Sequence, residues 1–191
     1  MKKKVILASS SPTRKIILSE AGLSFEIIPS DYEEDMSLPL SPYELAKHLS
    51  RGKAESVANV NIIGVVIGAD TFVVYEDKIL GKPYTADRAK EMLNMLSGKK
   101  HLVITGFTII DKEKDKTISR VVETNVFFRN LSSKEIDEYV ATGEPLNKAG
   151  SYGILENGWK FIEKIEGSKS NIAGLPIEEV MESLKDFEII I

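Results

Sequence analysis

The sequence predicts an α/β protein, a mixed and twisted sheet with flanking helices. Three observations carry that prediction. Short β-branched apolar runs alternate with segments of helical period, the pattern of a sheet covered by helices. The helical segments open on Ser or Thr and close near Gly, the usual start and stop signals. Two long runs, 101–110 and 118–130, are separated mainly by the charged turn "DKEKDK". They read as a hairpin-like pair, which makes the sheet mixed rather than all parallel.

The elements follow in order. "KVILA" (4–8) is a short buried strand. The next helix takes Ser11 as N-cap and Pro12 as its first residue, where a missing N–H costs nothing, and Gly22 lies just past its end. "SFEIIP" (24–29) reads as a strand, and "SDYEEDMSLPL" (30–40) as an acidic, proline-containing loop. "SPYELAKHLSRGKAESVA" (41–58) is a helix in which Ser41 and Glu44 form a capping-box pattern. "IIGVVIG" (62–68) reads as an interior strand that stops at "ADT", putting Asp70 at its end. "FVVYEDKIL" (72–80) reads as a separate hairpin turning near Glu76 and Asp77. Helices are expected from Thr85 to Gly98, from Ser132 to Gly143 and over "LPIEEVMESLK" (175–185). "WKFIEKIEG" (159–167) and "FEIII" (187–191) are expected strands. No Pro- or Gly-rich linker cuts the chain, so one domain over 1–191 is expected, with two lobes and a cleft.

The totals exclude several classes. A chain of 191 residues with 42% hydrophobic content can bury a full core without a disulfide or structural metal. With no cysteine, there is no disulfide framework, thiolate zinc site or cysteine nucleophile, which fits a reducing cytoplasm. The apolar run in "MKKKVILASSS" is too short for a signal peptide. No stretch reaches the roughly 20 apolar residues of a membrane span. A net charge of −4 argues against broad nucleic-acid binding but allows a local basic site for a small anion. The expectation is a cytoplasmic protein with no membrane and no nucleic-acid partner.

Familiar catalytic signatures are absent. "LGKP" has proline where a Walker loop needs a hydroxyl residue, and there is no GxGxxG, GxSxG or HExxH. His48 and His101 lie far apart, and each reads as a surface or packing residue.

Five stretches remain. In "SSSPTRK", serine hydroxyls and free N–H groups meet at a helix N-terminus, a ready anion site, and Arg14 brings a fork that matches phosphate oxygens. A capped surface helix with incidental basic residues is the alternative. In "GADT", Asp70 follows a strongly apolar run, where a carboxylate needs a partner. It is a catalytic candidate, or it caps the next turn. Lys82 in "LGKP" is a phosphate contact or a solvated loop lysine. Asp31, Glu33, Glu34 and Asp35 supply oxygen ligands for a hard cation such as Mg²⁺, or form a solvated loop. In "KAGSYGIL" (148–155) the glycines permit close backbone approach and Tyr152 offers a face for stacking, or the stretch is a strand-edge turn. Positive charge for phosphates, carboxylate oxygens for a metal and a base for water are together what phosphoanhydride hydrolysis requires.

These residues in this order resemble the Maf family of nucleoside triphosphate pyrophosphatases over nearly the whole chain. The resemblance is carried by "ILASSSPTRKIIL", "EE" at 33 and 34, "RGKAESVA", "VIGADT", "LGKP", "MLSGK", "EPLNKAGSYGI" and "GLP" at 174–176. It implies an elongated, two-lobed α/β structure with a central nucleotide cleft, similar in plan to the inosine triphosphate pyrophosphatases. It also implies cleavage between the α- and β-phosphates with a divalent metal, Mg²⁺ or Mn²⁺, and a homodimer, which is common in the family. By position, Asp70 matches the catalytic carboxylate, as proton acceptor or metal-bound base. Glu34 matches the acidic residue near the metal. Ser9, Arg14, Lys53 and Lys82 match phosphate-binding positions. The family's link to septum formation leaves a second reading, a nucleotide-binding regulator of cell division with little turnover.

Three positions bear on the base. The pyrimidine-preferring branch, which acts on dTTP and UTP, usually has "SPRR" and "AYGIQG". This chain has "SPTR" and "SYGILE", so Thr13 replaces an arginine and Leu155 a glutamine. Thr71 in "GADT" agrees with that branch. The branch preferring 7-methyl-GTP usually has tryptophan at position 13 and "GSD" for "GAD", a poorer match.

Overall fold

In a computed structural model, residues 3–60 and 63–189 are described. One mixed sheet of seven strands has the order β2-β1-β3-β5-β6-β7, with β4 paired to β3. The strands are β1 (Val5–Leu7), β2 (Glu26–Ile27), β3 (Val65–Tyr75), β4 (Lys78–Leu80), β5 (Lys100–Asp111), β6 (Lys116–Phe128) and β7 (Ile162–Glu166). Between them lie α1 (Pro12–Glu20), α2 (Pro42–Ala58), α3 (Ala86–Leu96), α4 (Ser133–Ala141), α5 (Lys169–Ile172) and α6 (Ile177–Lys185). β1 runs parallel to both β2 and β3, and β4 and β7 run antiparallel to their neighbours β3 and β6. The expected fold class is therefore the observed one. Among the described residues no helix is long and apolar enough to cross a membrane.

The helix starts follow the sequence closely. Ser11, Thr85 and Ser132 cap α1, α3 and α4, and α2 carries the full capping box of Ser41 and Glu44. Each cap removes an orphan N–H of the first turn, worth about 1 kcal/mol.

Four elements differ from expectation. β3 is one strand through Val65–Tyr75, so Asp70 sits inside it rather than at its end. Gly, Ala, Asp and Thr interrupt the apolar pattern without interrupting backbone pairing, and β-branched residues resume at once. The turn after β3 falls at Glu76 and Asp77 as expected, with φ of 46° and 63°, the left-handed pair of a tight hairpin turn. "WKFIEKIEG" forms a strand only from Ile162, because Asn157–Phe161 is a 3₁₀ segment. "SFEIIP" pairs only at Glu26 and Ile27. No strand forms at 187–189. There Phe187 is buried, Glu188 takes a φ of 62°, and the Ile189 N–H bonds back to the Leu184 carbonyl, closing α6. The rest of that expected strand (190–191) lies outside the described residues, as does Ile62 of the expected strand 62–68.

The chain divides into two compact units. The first comprises Met1–Asp70, Thr105–Val122 and Gly174–Ile191. Its core includes Ile6, Ala8, Ala54, Val57, Val66 and Ile110. Two glycines seat α2 here. A Cβ on Gly68 of β3 would lie 2.5 Å from the Ser50 carbonyl oxygen and 2.6 Å from the Ala54 nitrogen. A Cβ on Gly106 of β5 would lie 2.1 Å from the Ala46 carbonyl oxygen. The helix backbone therefore rests directly on two strands. Beside these glycines the Ser50 hydroxyl meets Thr108 Oγ1 at 3.0 Å, and Thr108 meets Ser119 at 2.9 Å.

The second unit comprises Thr71–Ile104 and Glu123–Ala173. Its core is rich in aromatic rings, with Phe128, Tyr139, Tyr152 and Phe161 beside Leu93 and Leu96. The short α5 is held by Asn171, whose amide donates to the Val103 carbonyl and to Thr124 Oγ1 at 3.1 and 3.0 Å.

Candidate active site

The first unit gathers five of the predicted residues. β1 leads into α1, and Ser9 lies in the connection. Ser9 Oγ accepts from the Ser11 N–H and from Arg14 Nη1, both at 3.2 Å. Arg14 Nε donates to the Gly174 carbonyl at 2.7 Å. Arg14 is buried, at 9% exposure, although it occupies the first turn of α1. Burial lowers its pKa, while Asp70 and Glu34 act in the opposite direction. A guanidinium remains charged under these conditions. Lys15, its neighbour in sequence, is exposed.

The second cation comes from α2. Lys53, also 9% exposed, bonds through Nζ to Asp70 Oδ1 and reaches Glu34 Oε1 at 2.7 Å. Sheet and helix geometry explain the meeting. Gly68 and Asp70 are two residues apart in β3 and so share a face. Ser50 and Ala54 press on Gly68 from α2, and Lys53 lies between them in sequence. Close approach of α2 thus brings Lys53 onto Asp70, which is buried at 6% exposure. A buried carboxylate without such a partner would be costly.

Glu34 is the member of the acidic loop that joins this cluster, and its side chain keeps 42% exposure. Asp35 instead accepts from the Ser37 N–H and hydroxyl at 2.8 and 2.6 Å, a local turn. Asp31 and Glu33 are exposed. The loop is placed by Tyr32. A Cβ on Gly52 of α2 would lie 2.4 Å from its ring, and its hydroxyl meets His48 Nε2 at 3.1 Å. Among the described residues no group of three or more His, Cys, Asp or Glu forms a metal cluster. Two carboxylates sharing one cation nevertheless suit a hard divalent ion. Mg²⁺ is commonly held by one or two carboxylates, with phosphate and water completing its shell.

The other predicted residues are placed individually. Thr13 is half-buried on α1, beside Arg14 in sequence. Thr71, Lys82 and Leu155 belong to the second unit. Thr71 is half-buried in β3, Lys82 is exposed in the loop after β4, and Leu155 is exposed at 56%. Tyr152 does not offer a stacking face. It is buried, its hydroxyl meets His101 Nε2 at 2.8 Å, and its ring packs edge-on against Phe128. Both histidines therefore have tyrosine partners, which sequence distance concealed. Exposed aromatics of the second unit include Trp159 and Tyr84, the latter held with φ of 60° while its N–H bonds to the Leu146 carbonyl. Three contributors escaped the sequence reading of the site. They are the Gly174 carbonyl, Gly68 and Gly106. For Gly68, a glycine two residues before a strand aspartate was the available signal.

Fold and site define a class, an α/β protein whose buried Arg and Lys face two carboxylates at a helix N-terminus. That arrangement suits a phosphate-bearing anion together with a hard cation. The chain belongs to the family described as Maf-like protein, whose family model matches residues 4–187. It is 48% identical over 187 residues to a dTTP/UTP pyrophosphatase of Bacillus cereus (strain G9842), covering 98% of this chain and 97% of that protein. A dTTP/UTP pyrophosphatase of Bacillus anthracis (strain CDC 684 / NRRL 3495) is 49% identical with the same coverage. Among solved structures, the Ham1 protein of Staphylococcus aureus aligns with a TM-score of 0.52 at 16% identity, covering 97% of each chain. That last likeness concerns the fold alone.

Proposed function

We propose that this protein is a nucleoside triphosphate pyrophosphatase that acts on dTTP and UTP in the cytoplasm. The observation that carries the reading is the gathering of Ser9, Arg14, Lys53, Glu34 and Asp70 at the start of α1. Relatives named dTTP/UTP pyrophosphatase at nearly half identity over almost the whole chain support the activity and the pyrimidine preference.

The reaction is hydrolysis. A water oxygen bonds to the α-phosphorus, and the bond from that phosphorus to the bridging oxygen breaks. The water's proton passes to Asp70, and pyrophosphate leaves a nucleoside monophosphate. Arg14, fixed by Ser9 and the Gly174 carbonyl, binds phosphate oxygens without reorganising. Lys53 adds a mobile positive charge against the same anion. Asp70 and Glu34 would hold a divalent cation, Mg²⁺ or Mn²⁺, which supplies polarisation of the phosphoryl group when bound. Thr13, Thr71, Lys82 and Leu155 are assigned to the substrate through the family resemblance.

A panel of ordinary and modified nucleoside triphosphates, assayed with Mg²⁺ or Mn²⁺ and scored for pyrophosphate, tests the proposal. Pyrophosphate release, fastest with dTTP or UTP, is expected. Release of inorganic phosphate would overturn the reaction. Tight nucleotide binding without metal-stimulated turnover would favour a binding regulator instead.

A further inference from the structure

Lys53 and a divalent cation call on the same two carboxylates. The ammonium already bonds Asp70 Oδ1 and Glu34 Oε1, and it is buried with Asp70. Arg14 is close enough for both carboxylates to act on it. The four formal charges therefore cancel, two cations against two anions. A divalent ion added to this neutral cluster competes with the ammonium for the two carboxylates, and it meets Arg14 as a like charge.

The two cations differ in how they are held. Arg14 is tied to a backbone carbonyl and to Ser9. Lys53 is bonded to the two carboxylates and stands on a flexible four-carbon stem. A polyanionic triphosphate gives its ammonium new partners and brings the negative charge that makes room for a metal.

We propose that Lys53 is the resting-state counter-ion of Glu34 and Asp70, weakening capture of a free divalent cation so that metal binding depends on the triphosphate. This rests on the reading of Glu34 and Asp70 as metal ligands. It adds that the metal-free pair is neutralised from within, by a positioning residue that changes partners when nucleotide arrives.

The test is Mn²⁺ binding, read from the electron paramagnetic resonance signal of free Mn²⁺ and from thermal shift. Wild type, Lys53→Met and Lys53→Arg are compared without nucleotide and with a non-hydrolysable α,β-methylene nucleoside triphosphate. Without nucleotide, Lys53→Met is expected to bind Mn²⁺ at least about tenfold tighter than wild type, because a competing charge is gone. Lys53→Arg, which keeps the charge, should stay as weak as wild type. The analogue should narrow the gap between wild type and Lys53→Met. Should Lys53→Met fold poorly, Lys53→Gln serves in its place, and Mn²⁺ should raise its melting temperature more than that of wild type.

Equal Mn²⁺ affinity in wild type and the uncharged variants, with metal-dependent turnover of wild type intact, would overturn this proposal alone. So would tight binding by Lys53→Arg. Failure of every protein to bind Mn²⁺, with or without the analogue, would overturn the metal-ligand reading and this proposal with it.

Discussion

The two units solve the problem of buried polar groups in opposite ways. The first buries charge. Arg14, Lys53, Asp70 and Asp111 all lie inside it; the ion pairs Lys53–Asp70 and Lys3–Asp111 neutralise the last three, and the carboxylates of Asp70 and Glu34 act on Arg14. The second buries rings. Its core stacks His101, Phe128, Tyr152, Phe161 and Tyr139 edge to face, with ring centroids 4.8–6.0 Å apart. Its most buried titratable groups, His101 and Tyr152, are kept neutral rather than paired as ions. Charge held in a low-dielectric setting is sensitive to the loss of any partner. A neutral aromatic core is sensitive to shape and to acid. The difference gives each unit its own weakness, and substitutions can be chosen to strain one unit at a time.

The largest effect is expected at Asp70. Asp70→Asn keeps the volume and removes the proposed proton acceptor, while Lys53 retains Glu34. Pyrophosphate release should fall by about 10²–10⁴-fold, the range for losing a general base. Circular dichroism should show the fold retained. Near-normal turnover in a folded Asp70→Asn protein would strip Asp70 of its role and erase the contrast between the units.

Gly68→Ala comes next. The new Cβ would meet backbone atoms of α2 at 2.5 and 2.6 Å, and backbone yields less readily than a side-chain tip. A loss of about 1–3 kcal/mol in urea unfolding is expected, together with lower activity as α2 and Lys53 shift from Asp70. Gly81→Ala in the second unit is the control. Nothing lies within 4 Å of where a Cβ on Gly81 would stand, and the substitution should change stability by less than about 0.5 kcal/mol. Equal effects of the two would show that α2 is not seated by this contact.

Much of this architecture was legible from local signals. The caps at Ser11, Ser41, Thr85 and Ser132 predicted helix starts because one hydroxyl and one N–H three residues on make the contact. The turn at Glu76 and Asp77 was legible because it is equally local, two residues between paired runs. The continuity of β3 through Asp70 was not, since backbone pairing is indifferent to a polar side chain. Nor were the 3₁₀ segments at Glu144–Asn147, Ala149–Ser151 and Asn157–Phe161, which carry no helical period. Of the site, the residues Ser9, Arg14, Glu34, Lys53 and Asp70 were named from motifs. Their geometry was not legible, because it depends on long-range contacts such as Arg14 with Gly174 and α2 with Gly68. Tyr152 was misread for a related reason. Its partner His101 is 51 residues away in sequence.

An intermediate effect is expected from acid acting on the second unit. Burial pushes the His101 pKa down to about 3. The unfolded chain titrates this group near its ordinary value of 6.5. Between those values the unfolded state holds a proton that the folded state refuses, so stability falls as pH drops below about 6.5. The slope is about 1.4 kcal/mol per pH unit, or roughly 2 kcal/mol lost from pH 6.5 to 5. Urea unfolding of wild type and His101→Phe at pH 7, 6 and 5 checks this. The variant loses the Tyr152 hydrogen bond and should start less stable, with a shallower acid slope. Identical slopes would move the acid sensitivity elsewhere, including to the charged cluster of the first unit.

The smallest effect concerns backbone conformation. Tyr84 is 69% exposed and holds a φ of 60°, a region that favours glycine. Little side-chain burial is lost on removing the ring, and the Tyr84 N–H bond to the Leu146 carbonyl uses backbone atoms that glycine retains. Relief of the left-handed strain is worth about 1–2 kcal/mol, offset in part by the larger entropy of an unfolded glycine. Tyr84→Gly is therefore expected to be neutral to about 1 kcal/mol more stable, and Tyr84→Ala less stable than Tyr84→Gly because Ala keeps the Cβ. Thermal and urea unfolding of the pair reads the difference directly. A clear loss of stability in Tyr84→Gly would mean that the ring is holding the loop, and would make the second unit depend on an exposed aromatic as well as on its buried ones.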